Sequence, residues 1–157
     1  MKRYPIIVIF ALISVSAFCL PSIAILDAIL ADGVDITAKV PVTEKIIEEI
    51  VTSGKYTVLD RSSIQQVLEE KKFQLSGVVA DNEIKKAGEY LGADIVCVAK
   101  VSRIGETYFI SGKMINVETG AITAQKSHEQ KGDIEVVLAI AQVVGKALAG
   151  GVLEESA

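Results

Sequence analysis

Tyr56-Thr57-Val58-Leu59-Asp60-Arg61 sets aromatic, β-branched and aliphatic residues directly against an acid that can cap a helix. The pattern predicts a buried strand followed at once by a helix, with Ile64, Val67 and Leu68 at helical spacing. Upstream, Ser22-Ile-Ala-Ile-Leu-Asp27 has the same shape, a short branched run ending on an acid, and reads as a strand buried on both faces. After a loop around Asp32 to Asp35, Val42 to Thr52 predicts a helix with Ile46, Ile47, Ile50 and Val51 on one side and Lys45, Glu48 and Glu49 opposite. Pro41 precedes that helix and Ser53-Gly54 closes it. Strand, helix, strand, helix in this order predicts a right-handed parallel crossover.

Downstream, the Gln74 to Asp81 segment reads as a glycine-containing loop before a third helix from about Asn82 to Leu91, with Ile84, Ala87 and Leu91 on one side and Gly92 as terminator. Ala93–Arg103, Glu106–Val117 and Ala121–Glu129 are strand-like and joined by tight turns, so they predict an antiparallel meander. Ile95, Val96, Cys97 and Val98 make the first apolar on both faces, whereas Thr123, Gln125, Ser127 and Glu129 mark the last as an edge. Asp133 is placed to cap a final helix carrying Ile134, Val137, Leu138, Ala141, Val144 and Leu148. The expected fold is α/β: a three-layer-like sandwich on a mixed sheet, in the order β-α-β-α-α-β-β-β-α, parallel crossover first and antiparallel meander after.

The chain opens with Lys2 and Arg3 followed by the apolar run Ile6 to Ile13, the pattern of an export signal. The apolar stretch from Pro5 to Leu20 is short of the roughly 20 residues a membrane span needs. Val15-Ser16-Ala17 suits a signal peptidase, which makes residues 1–17 the signal, 18–151 a single domain and 152–157 a frayed tail. Ser16-Ala17-Phe18-Cys19 offers a lipoprotein alternative acylated at Cys19, against which the bulky Phe18 argues. Loss of Lys2 and Arg3 leaves 14 of the 16 basic residues against 20 acidic ones, a net charge of −6. Lys71, Lys72, Lys85 and Lys86 alternate with Glu69, Glu70, Glu83 and Glu89, so the charge pattern argues against a nucleic-acid partner. With cleavage beyond Cys19 only Cys97 remains, and its apolar surroundings make it a small core residue.

Catalytic patterns are sparse. His128, the sole histidine, falls on the polar edge strand and reads as solvent-facing. No phosphate loop or Gly-x-Ser-x-Gly elbow occurs, and the adjacent pairs Glu48-Glu49 and Glu69-Glu70 point about 100 degrees apart on a helix. Asp27 and Asp60 stand out because each ends a predicted parallel strand, where open α/β sheets bind ligands, and Arg61, beside Asp60, is placed to pair with a carboxylate or contact a partner. Helix capping is the competing role for the two acids. No cofactor and no metal is expected.

Five ordered elements carry a family resemblance: Ile23-Ala-Ile-Leu-Asp27, Gly54-Lys-Tyr-Thr-Val-Leu-Asp-Arg61, Val67-Leu-Glu-Glu-Lys71, Leu91-Gly-Ala-Asp-Ile-Val96 and Ile115-Asn-Val-Glu-Thr-Gly-Ala-Ile122. From about Ser22 to Lys131 the chain resembles the CsgG family, which is related to the amino-terminal domain of TolB and to LpoB. The resemblance implies an extracytoplasmic α/β domain that binds proteins and is not an enzyme. It leads us to expect a periplasmic module, held at the outer membrane only if Cys19 is acylated, whose partner is a cell-envelope protein or further copies of itself. An oligomeric secretion channel and a small-ligand-binding domain at the strand ends are the alternatives.

Overall fold

A computed structural model describes residues 19–73 and 80–150. The expected export signal, most of the loop before the third helix and the expected tail lie outside the described residues. Within them the chain forms β1 (Ser22–Ile25), β2 (Ile29–Leu30), a 3-10 turn (Ile36–Ala38), α1 (Lys39–Ser53), β3 (Thr57–Val58), α2 (Arg61–Glu70), α3 (Asp81–Leu91), β4 (Ile95–Ile104), β5 (Thr107–Asn116), β6 (Ile122–Lys131) and α4 (Val136–Leu148). One mixed sheet has the order β3-β1-β4-β5-β6, with β2 also pairing β4. The β3-β1-β4 part is parallel and the β4-β5-β6 part antiparallel. The α/β order read from the sequence stands, with β2 added.

Two helical layers cover the sheet. On one face α1 and α4 pack Val42, Ile46, Ile50, Ile140 and Val144 onto Cys97, Ile110 and Met114. On the other, α2 and α3 supply Ile64, Ile84 and Ala87 against Val96, Val98 and Ile115. Two family motifs explain themselves as fasteners. Asp94 Oδ2 accepts from Ser22 N and Ser22 Oγ, both at 2.7 Å, which locks the start of β1 to β4. Asn116 Oδ1 accepts from Thr119 N and Thr119 Oγ1, and Gly120 takes φ 73°, so the β5–β6 turn closes with the side-chain chemistry that Asn and Gly provide.

Several expectations change. α1 begins at Lys39, not Val42, so Pro41 sits inside its first turn, where no backbone N–H is needed. Glu49 is buried at 8 % exposure because α4 crosses α1 closely, its stem against Gly145, which widens the buried face beyond the isoleucine stripe; Val51 is exposed instead. β3 is a half-exposed edge strand and not a buried one. Asp133 does not cap α4 with its side chain; only its carbonyl accepts, from Val136 N, and the capping position is Glu135. Ile134 and Leu138, expected in the covered stripe, are 39 % and 43 % exposed.

Candidate functional site

β1 does not run cleanly to its acid. Pairing with β4 lapses after Leu26 and resumes at Ile29 on Lys100, so Asp27 and Ala28 sit in a break within the strand line. Ala28 N, withdrawn from the ladder, donates to Thr43 Oγ1 at 2.9 Å, and that hydroxyl donates to Lys39 O at 2.8 Å. Thr43 is buried, so this bond satisfies a donor that would otherwise cost free energy, and it ties the break to the first turns of α1. Asp27 is thereby presented beside Lys39.

From the neighbouring strand, Asp60 accepts from Ser63 N at 3.0 Å and from the Ser62 and Ser63 hydroxyls, so it caps α2. Those bonds, the Ser62 hydroxyl foremost, hold its carboxyl below the usual carboxylate range. Capping fixes the first residue of α2, Arg61, whose Nε and Nη2 donate to Asp27 Oδ1 at 3.1 and 2.9 Å and whose Nη1 donates to Glu44 Oε1 at 2.8 Å. Lys39 Nζ lies 3.4 Å from Asp27 Oδ2. Partial burial would raise the Asp27 carboxyl, but the Arg61 hydrogen bonds and charge, with help from Lys39, outweigh it and hold it below its ordinary value. The three candidates thus part company: Asp27 and Arg61 meet across 34 residues of chain, and Asp60 serves the helix that brings Arg61 there.

Beside this network opens a cleft of about 410 Å³. Its apolar wall is Ile25, Ala28, Ile64, Leu68 and Phe73, and its polar groups are Asp27, Lys39, Arg61, Gln65 and Glu69. The cleft opens at the carboxyl end of β1, between the start of α1, which packs on one face of the sheet, and α2, which packs on the other. Lys39, Thr43, Glu44 and Gln65 were not singled out in the sequence, where Glu69 reads only as one of an adjacent acidic pair on a helix. The available signal was positional, since a crossover returns the first turn of its helix to the end of the preceding strand.

Elsewhere the chemistry is quiet. Among the described residues no group of three or more His, Cys, Asp and Glu is placed to hold a metal, and no helix is long and apolar enough to cross a membrane. His128 is half-buried, not solvent-facing, because it pairs in register with buried Ile110 beneath α4. Cys97 is fully buried, which pushes its thiol up to about 12 and leaves it inert. Cys19 is exposed, three residues before β1.

With this architecture in view, residues 33–137 match the family of the curli production assembly/transport component CsgG. The chain belongs to that family. No curated protein sequence matches it significantly. Among solved structures, the LpoB C-terminal domain from Salmonella enterica is 12% identical, covers 74% of this chain and 87% of its own, and superposes with a TM-score of 0.56. Lipoprotein GNA1162 from Neisseria meningitidis gives 13%, 73%, 83% and 0.57 for the same measures. The PelC dodecamer from Paraburkholderia phytofirmans gives 13%, 82%, 88% and 0.55. At such identities the likeness is one of fold.

Proposed function

We propose that this protein is a non-enzymatic interaction and assembly module of the cell envelope, exported by a signal in residues 1–17 and acting by docking on an envelope protein. Membership of the CsgG family across residues 33–137 is the observation that carries this reading. The ion pairs of Asp27, Glu44 and Arg61 support it, since they commit these charges to holding strand and helix together. Crosslinking in intact cells followed by affinity capture of the full chain tests it. The expected result is an envelope protein recovered well above control; capture of none, with the chain in the cytosol at its full translated mass, sinks the proposal.

A second reading, assembly into a homo-oligomeric ring, is favoured by the fold likeness to a protein that crystallises as a dodecamer. Light scattering on the purified chain separates the two readings, because a ring gives a discrete mass many times that of one chain and a docking module gives a mass near it. Intact mass of the native protein distinguishes cleavage after Ala17 from acylation at Cys19.

A further inference from the structure

We propose that the cleft between the β1 break, α1 and α2 binds a small zwitterion with an apolar body, the size of an apolar amino acid or a dipeptide. This goes beyond the docking role and does not depend on it. Position is the first argument. Open α/β sheets take ligands outside the carboxyl ends of their parallel strands, and the cleft opens at the carboxyl end of β1, the middle strand of the parallel β3-β1-β4 set. The volume of about 410 Å³ falls within the roughly 300–1,000 Å³ of small-molecule sites.

The lining supplies the second argument. Three of the five N–H groups of Arg61 are committed to Asp27 and Glu44, which fixes the guanidinium as scaffold. Lys39 is different: its ammonium has three donors, its one ion pair is the 3.4 Å contact to Asp27, and it remains 38% exposed. Glu69, on the α2 wall, is exposed and forms no ion pair among the described residues. Cation and anion therefore stand on different elements, Lys39 on α1 and Glu69 on α2, with the Gln65 amide lining the same cleft and Leu68 and Phe73 as an apolar wall. A carboxylate alone leaves Glu69 unanswered and an amine alone leaves Lys39 unanswered. A molecule carrying both charges on an apolar body answers both and covers the wall.

The test is an NMR titration of the full chain with four probes: L-leucine, L-leucyl-L-leucine, isoamylamine, which is leucine without its carboxylate, and 4-methylpentanoic acid, which is leucine without its amine. Saturable shifts at the Gln65 side-chain amide and the Ile64 and Leu68 methyls are expected with at least one zwitterion, about tenfold tighter than with either single-charge probe. Glu69→Gln, at an exposed position that leaves the fold intact, should lower zwitterion affinity about tenfold and leave that of 4-methylpentanoic acid unchanged. No saturable shift with any probe, binding of a single-charge probe equal to that of both zwitterions, or an unaltered zwitterion affinity in Glu69→Gln overturns the assignment. Capture of an envelope protein is unaffected by Glu69→Gln in either case, which keeps this result separate from the docking role.

Discussion

The two faces of the sheet are finished differently. One is covered by α1 and α4, 15 and 13 residues long, which touch so closely that a Cβ on Gly145 would stand 2.9 Å from Glu49 Cβ and 3.3 Å from Ile46 Cα. The other is covered by α2 and α3, 10 and 11 residues long, and α2 buries only Ile64 completely. These shorter helices are joined at their rim by Phe73 edge-on to Tyr90, with ring centroids 6.1 Å apart. The difference teaches where a site can form in a fold this small: the longer pair spends its surface on closure, and the shorter pair stops early and leaves the cleft beside Asp27 and Arg61.

The contrast is sharpest in core truncations. Ile140→Ala, on the sheet-facing side of α4 and fully buried, should cost about 4 kcal/mol, and Ile64→Ala, on the cleft wall, about 2 kcal/mol, because the second site is already open on one side. Chemical denaturation measures both, and equal losses would break the comparison. Gly145→Leu should cost about 3 kcal/mol, since the Ile46 backbone cannot yield and α1 must move away from α4.

Arg61→Ala should destabilise by about 1–2 kcal/mol at neutral pH by leaving the partly buried Asp27 without its main partner. The sign with pH follows from the direction of the Asp27 shift. A carboxyl held lower in the folded protein than in the unfolded chain contributes stability above the unfolded value, about 3.9, and loses it as pH falls through the folded one. Urea midpoints followed from pH 6 to pH 2 should therefore fall more steeply for the parent chain than for Arg61→Ala. The smallest effect is expected on the exposed edge strand, where Ser127→Ala should stay within about 0.5 kcal/mol of the parent.

Much of the fold was legible because its signals are local. Gly54 and Gly92 end helices in the left-handed conformation, Asp60 caps α2, and the polar alternation of Thr123 to Glu129 marks the edge strand, each within a few residues of sequence. The errors arose where a partner distant in sequence intervened. β2 is two residues long and exists because β4 offers it a ladder; Glu49 is buried because Gly145 permits close approach.

The site divides along the same line. Asp27, Asp60 and Arg61 were visible as charged residues at the ends of apolar runs, and the sequence alone established that strands, helices and caps would fall near them, because hydrophobic period and capping are properties of neighbouring residues. Only the tertiary structure decided that Asp60 turns inward to its own helix while Arg61 reaches Asp27 and Glu44, and that Lys39, Gln65 and Glu69 share the cleft. Those contacts cross the gap between crossover connections, where the direction of a side chain depends on how two layers pack and not on the residues beside it in the chain.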